Sequence, residues 1–196
     1  MKQIIIACTG GIGSGKSNVV KAFSALGNPC YDGDSRARAL YGESKELLNK
    51  VVEIAGEDVL VDGVLDKRRL ATVVFNDKKA LESLEAVLYP MLIDDFHTWM
   101  KASKSKIVIF ESAIILEKEL FKGFADYILV VTAPLEERIE RTMQRDGATR
   151  DQVLDRMRNQ WPQERMEAEA DYIIKTDDRT PILPKIIEII NQFENS

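Results

Sequence analysis

The chain has 196 residues, of which 45% are hydrophobic and 30% are charged, and its formal net charge is −5. This composition indicates one globular domain with insertions, and it supplies no basic excess for binding a nucleic-acid backbone. No apolar run approaches the roughly 20 residues that span a bilayer, and two cysteines without metal-ligand spacing indicate reduced thiols. We therefore expect a cytoplasmic protein, a monomer or weak homo-oligomer, with no nucleic-acid or membrane partner.

The first predicted element is a buried parallel strand, indicated by an apolar run at residues 4–8. Apolar residues at helical spacing over residues 18–26, stopped by Gly27, predict a helix. Between them lies the phosphate-loop pattern G-x-x-x-x-G-K-[ST], formed by Gly10, Gly11, Ile12, Gly13, Ser14, Gly15, Lys16 and Ser17. A glycine turn could match by chance, but the order strand, glycine loop, helix predicts a nucleoside triphosphate site.

The residue types in this loop suit a bound phosphate. Glycines let backbone N–H groups turn inward with no Cβ in the way, and the helix start adds positive potential. Lys16 can reach the β- and γ-phosphates, and the Ser17 hydroxyl can bind Mg²⁺.

The rest of the chain alternates between strands and helices, which predicts an α/β fold with a parallel sheet flanked by helices. Further strands are predicted at residues 29–31, 106–110, 127–131 and 172–174. Helices are predicted at residues 35–41, 45–55, 67–74, 78–101, 135–145, 150–159 and 182–193. We therefore predict a P-loop NTPase-type core at residues 1–34 and 102–196, and a helical insertion at residues 35–101.

Acidic residues follow the second and third strands, where ligands bind in parallel sheets. Asp32 and Asp34 flank a glycine after the second strand, and Glu111 follows the third. Phosphoryl transfer to an alcohol needs a carboxylate that accepts the proton, and oxygen ligands for Mg²⁺. Asp32 and Asp34 could share these two tasks; the alternative is a solvent-exposed Asx turn.

Arginines recur at helical spacing after the fourth strand, at Arg138, Arg141 and Arg145. An arginine-rich lid within residues 136–162 would close over the phosphates, neutralise developing charge and expel water. We favour Arg141, then Arg145, as phosphate contacts. The alternative is a solvated helix stabilised by neighbouring glutamates.

A second basic group, Lys67, Arg68 and Arg69, lies at the start of a predicted helix in the insertion. Basic residues at a helix start oppose its dipole, and arginine binds phosphate in a bidentate manner. This placement favours binding of a phosphorylated acceptor over a plain solvated face.

With these residues in place, the chain resembles the dephospho-CoA kinase family over residues 4–178. The resemblance is carried by TGGIGSGKS at residues 9–17, YDGD at 31–34, DGVLDKRRL at 62–70, VF at 74–75, LEAVLYP at 84–90, RTMQRD at 141–146, Gln160, and AD at 170–171. Tyr89 stands where the family has histidine, Asn18, directly after the first of these segments, where it has threonine, and Lys175-Thr176, further on, where asparagine is common.

The resemblance implies an enzyme that transfers the γ-phosphate of ATP to the ribose 3′-hydroxyl of dephospho-CoA, the last step of coenzyme A synthesis, with the insertion binding CoA. It implies that Asp34 is the base, that Thr9 lies in the active site and that Arg141 contacts ATP.

The predicted site divides by role. The predicted catalytic residues are Asp34, Lys16 and Arg141. The predicted nucleotide contacts are Thr9, Gly10, Gly11, Ile12, Gly13, Ser14, Gly15, Lys16, Ser17, Asn18, Arg141 and Arg145. The predicted substrate contacts are Asp32, Asp34, Arg68, Arg69 and Tyr89, and the predicted Mg²⁺ ligands are Ser17 and Asp32.

Three other functions share parts of this pattern. Another small-molecule P-loop kinase, acting on a nucleoside, nucleotide or sugar, would have the same core, but the segment at residues 62–70 favours the CoA acceptor. A GTPase switch usually carries Asn-Lys-x-Asp, which the sequence Asn49-Lys50-Val51-Val52 does not match. An ATPase motor would use an acidic residue after a hydrophobic strand, where Glu111 stands.

Overall fold

The computed structural model describes residues 3–177 and 179–194 of the chain. Asp178, where the resemblance ends, lies outside the described residues. The chain divides into two compact units, one formed by Met1–Asp32 and Ser103–Ser196 and the other by Gly33–Ala102. The functions predicted for the core and the insertion stay predictions.

Strands and helices alternate along the chain. The strands are β1 (Ile4–Thr9), β2 (Cys30–Asp32), β3 (Leu60–Val61), β4 (Val64–Leu65), β5 (Ile107–Glu111), β6 (Tyr127–Thr132) and β7 (Tyr172–Lys175). The helices are α1 (Lys16–Ala25), α2 (Gly33–Glu43), α3 (Lys45–Ala55), α4 (Lys67–Asn76), α5 (Lys78–Ala102), α6 (Leu135–Asp146), α7 (Arg150–Arg158), α8 (Gln163–Ala168) and α9 (Leu183–Glu194). Every predicted strand and helix lies within two residues of one of these elements.

The first unit is built on a parallel sheet of strand order β2-β5-β1-β6-β7. Ile6 of the central strand β1 aligns with Ile109 of β5 on one side and with Tyr127 of β6 on the other. Such a central strand is apolar along its length because both faces of a parallel sheet are covered. The predicted α/β fold with a parallel sheet is confirmed.

Two helices cover one face of this sheet. Val19 and Phe23 of α1 and Ile186 and Ile189 of α9 are fully buried together with strand residues such as Ile6. Burial of each such side chain contributes about 1.5–3 kcal/mol to the free energy of unfolding. This packing fixes α1 against the sheet, so the start of α1 is held at the carboxyl end of β1.

The opposite face of the sheet carries an aromatic cluster. Phe110 alternates with Ile109 along β5 and therefore points to the other face. It stacks on Tyr31 and packs against Phe121 and Phe124.

A helix that the sequence did not predict, α8, directly follows the segment predicted as a lid. α6 and α7 pack through Ile139, Ala148 and Val153, and α7 begins with a capping box formed by Thr149 and Gln152. The unpredicted helix α8 has six residues, too few for an apolar period to stand out.

The second unit packs α2, α3 and α4 around the 25-residue helix α5. Its hairpin, β3 with β4, was not predicted because each strand has only two residues. The hairpin turns at Asp62 and Gly63, whose φ angles of 51° and 76° suit the Asp-Gly turns of tight hairpins. No helix within residues 3–177 and 179–194 combines the length and the apolarity needed to cross a bilayer.

The structure changes the expected setting of the two aspartates. Asp32 is the last residue of β2, and α2 begins at the next residue, Gly33. Asp34 therefore lies in the first turn of a helix, where a carboxylate is stabilised by the helix dipole. The two aspartates do not share a loop.

Candidate active site

The phosphate loop joins the carboxyl end of β1 to the start of α1. Gly13 and Gly15 have φ angles of 77° and 84°, which favour glycine. A Cβ on Gly13 would collide with the carbonyl oxygen of Arg138 and lie 2.8 Å from its Cα. The loop therefore needs glycine here both for its conformation and for its close approach to α6.

Two N–H groups of this loop already donate hydrogen bonds within the protein. The Ser14 N–H donates to the Gly11 carbonyl at 3.1 Å, and the Ile12 N–H donates to Gln160 Oε1 at 2.8 Å. The sequence predicts that the N–H groups of Gly11 to Lys16 face the phosphates. In the structure these two are already bonded within the protein, so the remaining N–H groups are the better candidates.

Lys16 begins α1 and folds back over the loop. Its ammonium group donates to the Gly10 carbonyl at 2.9 Å. Ser17 and Asn18 follow in the first turn of α1 and are exposed. The hydrogen bond to Gly10 thus holds the Lys16 amine beside the loop, and a bond to a ligand could replace it.

Two buried hydroxyl groups at the loop have no partner within residues 3–177 and 179–194. These are Thr9 Oγ1 at the end of β1 and Ser14 Oγ inside the loop, in residues that are each only 1% exposed. Buried polar side chains in proteins are nearly always hydrogen-bonded. Two unpaired buried hydroxyls beside a glycine loop are suited to form hydrogen bonds with a polar ligand.

Arg138 is a loop contact whose role the sequence did not reveal. It is 8% exposed, and its Nε donates to the Ile12 carbonyl at 3.0 Å. Burial lowers the pKa of its guanidinium, against an opposing effect of Glu164. The only sequence signal was its position in the arginine series of α6, which we interpreted as a lid contact.

Arg141 is tied to the loop through one intermediate residue. Its guanidinium donates to the Thr176 hydroxyl at 3.1 Å, to the Thr176 carbonyl at 2.7 Å and to Glu137 at 2.8 Å. The Thr176 hydroxyl in turn donates to the Ser14 carbonyl at 2.5 Å. The arginine that we favoured as a phosphate contact therefore stands one side chain away from the loop.

Arg145 lies in a different environment. Its hydrogen bonds in the described part of the chain go to Asp146 at 2.7 and 3.1 Å, and its side chain is 65% exposed. Hydrogen bonding to Arg145 is the main cause that lowers the pKa of Asp146, and Arg156 adds to it. The structure does not bring Arg145 to the loop.

Acidic side chains lie side by side where β2 and β5 end. Glu111 of β5 is aligned with Asp32 of β2 and with Cys8 of β1. Burial is the main cause that raises the pKa of the Cys8 thiol; the charge of Lys16 lowers it and that of Glu111 raises it. Lys16, Glu111 and Asp32 therefore belong to the same edge of the sheet.

The second unit places two of the predicted acceptor residues together. Burial raises the pKa of Tyr89 above its usual range, and the charge of Glu85, Tyr41 and Asp34 adds to the effect. The Tyr89 hydroxyl is 3.3 Å from the Glu85 carboxylate. The predicted base and the predicted substrate contact Tyr89 thus share one environment.

Arg68 and Arg69 are exposed at the start of α4, where the Asp66 side chain caps their backbone N–H groups. A cavity of about 300 Å³ in the same unit is lined instead by Lys67, together with Arg38 and Tyr41. The structure therefore indicates Lys67, a member of the basic group predicted to bind a phosphorylated acceptor, as a cationic cavity residue, together with Arg38, which the prediction did not include.

Comparison with known proteins gives a consistent result. A family model described as dephospho-CoA kinase matches residues 4–181. The dephospho-CoA kinase of Bacteroides fragilis is 34% identical over 191 residues, covering 95% of this chain and 91% of that protein. The one from Thermus thermophilus is 33% identical over 187 residues, covering 95% and 90%.

Solved structures show the same fold. TT1252 from Thermus thermophilus is 33% identical and superposes with a TM-score of 0.87 over 98% of both chains. A shikimate kinase from Acinetobacter baumannii, 15% identical, has a TM-score of 0.55 over 99% of this chain and 94% of its own, a likeness of fold alone.

Proposed function

The chain belongs to the dephospho-CoA kinase family, and we propose on this basis that it phosphorylates the ribose 3′-hydroxyl of dephospho-CoA with ATP, giving coenzyme A and ADP. The observation that carries the proposal is the family match over residues 4–181, which spans the phosphate loop and the whole of the second unit. The activity is thus the last step of coenzyme A biosynthesis.

The phosphate loop would hold the triphosphate. We assign the cradle to the N–H groups of Gly13, Gly15, Lys16 and Ser17, since those of Ile12 and Ser14 are engaged in the protein. The Lys16 ammonium would exchange its bond to Gly10 for phosphate oxygens. The unpaired hydroxyls of Thr9 and Ser14 and the glycine cradle support this fit.

The transfer itself needs a base and charge stabilisation. The ribose oxygen attacks the γ-phosphorus, the bond from that phosphorus to the bridging oxygen of ADP breaks, and Asp34 accepts the hydroxyl proton. Arg141, held near the loop by Thr176, would stabilise the charge that develops on the transferred group. Asp34 lies two residues after Asp32, which ends β2 at the ligand-binding edge of the sheet.

Ser17 and Asp32 are our candidates for holding Mg²⁺. Both side chains are exposed oxygen donors, the ligand type that Mg²⁺ prefers. No group of three His, Cys, Asp or Glu side chains suited to a metal occurs among the described residues, which fits an ion that takes most ligands from water and phosphate. When bound, Mg²⁺ neutralises charge on the β- and γ-phosphates.

The second unit would bind the acceptor. Its cavity has Lys67 and Arg38 as cationic groups and Tyr41 as an aromatic group, a lining that suits a phosphorylated nucleotide. Arg68, Arg69 and Tyr89 stay predicted acceptor contacts. We keep the expectations of a cytoplasmic monomer or weak homo-oligomer without a nucleic-acid or membrane partner.

The test is a coupled ADP-release assay with ATP and Mg²⁺, comparing dephospho-CoA, adenosine, AMP and no acceptor. We expect release that depends on dephospho-CoA and a product with the mass of CoA. ADP release with adenosine or AMP instead would show that the chain is another small-molecule kinase, with a nucleoside or nucleotide as its acceptor. Release without any acceptor would indicate a nucleoside triphosphatase.

A further inference from the structure

Both polar groups of the Ile12 main chain are held by side chains from the lid region. Gln160 Oε1 accepts the Ile12 N–H at 2.8 Å, and Arg138 Nε donates to the Ile12 carbonyl at 3.0 Å. Ile12 lies between Gly11 and Gly13, residues that impose little conformational restriction themselves. The two side chains therefore supply the restraint that the glycines do not.

Peptide geometry gives this restraint a direction. The Ile12 carbonyl and the Gly13 N–H belong to one planar trans peptide, so they point in opposite directions. With the carbonyl turned to the Arg138 guanidinium, the Gly13 N–H is turned away from that guanidinium. Gln160 fixes the preceding peptide in the same way, and the Gly11 carbonyl of that peptide accepts from the Ser14 N–H at 3.1 Å.

Arg138 fits closely into the loop. A Cβ on Gly11 would lie 2.9 Å from the Arg138 Cζ and would collide with its guanidinium nitrogen. Gln163 supports the same guanidinium, with Oε1 at 3.4 Å from Nη1. The arginine is therefore enclosed between the loop and the segment that contains Gln160.

The segment around Gln160 is itself anchored. The Trp161 N–H donates to Glu117 at 3.0 Å, and the Arg165 guanidinium lies 3.4 Å from the centre of the Trp161 ring. These contacts hold the residue that directly follows Gln160 in the chain.

We propose that Gln160 is a positioning residue that, together with Arg138, sets the orientation of the Ile12 peptides and so turns the Gly13 N–H toward the bound triphosphate. The proposal rests on the phosphotransfer proposed above. Without Gln160 the glycine-flanked peptide would sample other orientations, and ATP would have to order the loop on binding. The main effect should thus fall on the KM for ATP.

The experiment compares Gln160→Met with Gln152→Met in the full chain. Both glutamines accept one backbone N–H, from Ile12 and from Thr149 at 2.9 Å respectively, and methionine keeps the side-chain length without the acceptor. We expect Gln160→Met to raise the KM for ATP about tenfold with a smaller change in kcat, as loss of the acceptor of a half-buried backbone N–H implies. Its Ile12 amide should exchange faster by NMR, while Gln152→Met should change neither quantity.

Unchanged ATP kinetics and unchanged Ile12 exchange in a folded Gln160→Met would overturn the proposal. If that variant does not fold, Gln160→Glu, which retains an acceptor oxygen, is measured in its place. Slow exchange of the Ile12 amide in Gln160→Glu supports the proposal, and fast exchange overturns it. If the wild-type chain does not phosphorylate dephospho-CoA, the proposed function fails by itself. ATP affinity from fluorescent-nucleotide displacement, with the amide exchange, then decides the role of Gln160.

Discussion

The Thr176 hydroxyl donates to the Ser14 carbonyl at 2.5 Å and so joins the end of the last strand to the interior of the phosphate loop. The same hydroxyl accepts from Arg141 at 3.1 Å. A single side chain thus links the loop to the arginine that we propose as a phosphate contact. Thr176 belongs to the pair Lys175-Thr176, which stands where asparagine is common in the family that the sequence resembles.

Thr176→Val should weaken both the fold and the reaction. The variant keeps the side-chain shape but leaves the buried Ser14 carbonyl without this donor, which costs about 1–3 kcal/mol of unfolding free energy. Because Arg141 loses one of its anchors, kcat should fall as well. Urea unfolding and steady-state kinetics measure the two effects. Thr176→Ser keeps the hydroxyl and should behave like wild type; an equal loss in the serine variant would contradict the role of the hydroxyl.

Asp34→Asn should remove most turnover and spare nucleotide binding. General-base catalysis contributes about 100- to 10,000-fold, so kcat should fall within this range while the Kd for ATP changes little. Calorimetric titration and the ADP-release assay measure the two quantities. Asp32→Asn is the matched control and should raise the Mg²⁺ concentration needed for half-maximal rate. If instead Asp32→Asn lost turnover and Asp34→Asn kept it, the two roles would be exchanged.

Gly13→Ala should lower stability more than Gly147→Ala does. Both glycines have positive φ, 77° and 64°, so alanine costs roughly 1–2 kcal/mol of conformational energy at either position. At Gly147 the added Cβ meets no atom within 4 Å, whereas at Gly13 it collides with the Arg138 main chain. Thermal unfolding should separate the variants, and only Gly13→Ala should lose ATP affinity. Equal destabilisation would show that the loop can move away from α6.

Tyr41 should make stability depend on alkaline pH. Burial is the main cause that raises its pKa to about 12, from an ordinary value of 10.0, and the charge of Glu85 adds to it. The stability it contributes is complete below about pH 10. It is lost as the pH rises towards 12, because the unfolded chain releases the proton first.

Urea unfolding from about pH 9 to 12 measures this effect, and Tyr41→Phe should reduce the decline. Glu85→Gln should lower the pKa of Tyr41 in an ultraviolet titration. An identical alkaline decline in wild type and Tyr41→Phe would rule out the contribution of Tyr41.

The features that sequence predicted well are local. The glycines at positions 13 and 15 indicate a positive φ angle at those same positions, and the apolar run at the start of the chain predicts the strand that it forms. The contacts of Gln160 and Thr176 with the loop join residues 148 and 162 positions apart, and no local pattern encodes them. The contact of Thr176 follows from how the sheet brings the end of β7 beside the loop, and that of Gln160 from the packing of the segment after α7.

The arginine series of α6 shows the same limit. Arg138 and Arg145 are seven residues apart and lie on the same side of the helix, since seven residues make nearly two turns. They are also about 10 Å apart along the axis, so Arg138 is buried against the loop while Arg145 is 65% exposed. Periodicity predicts the side of a helix but not the position along it at which a ligand site begins.

The central position of β1 has a consequence for how the protein is made. Ile4 of β1 aligns with Ile107 of β5, so β1 must wait for a partner strand that is synthesised more than 100 residues later. Gly33–Ala102, compact in itself, is synthesised in that interval. Contacts between distant parts of a chain form slowly. The phosphate loop is therefore completed late in folding, after most of the polypeptide has been translated.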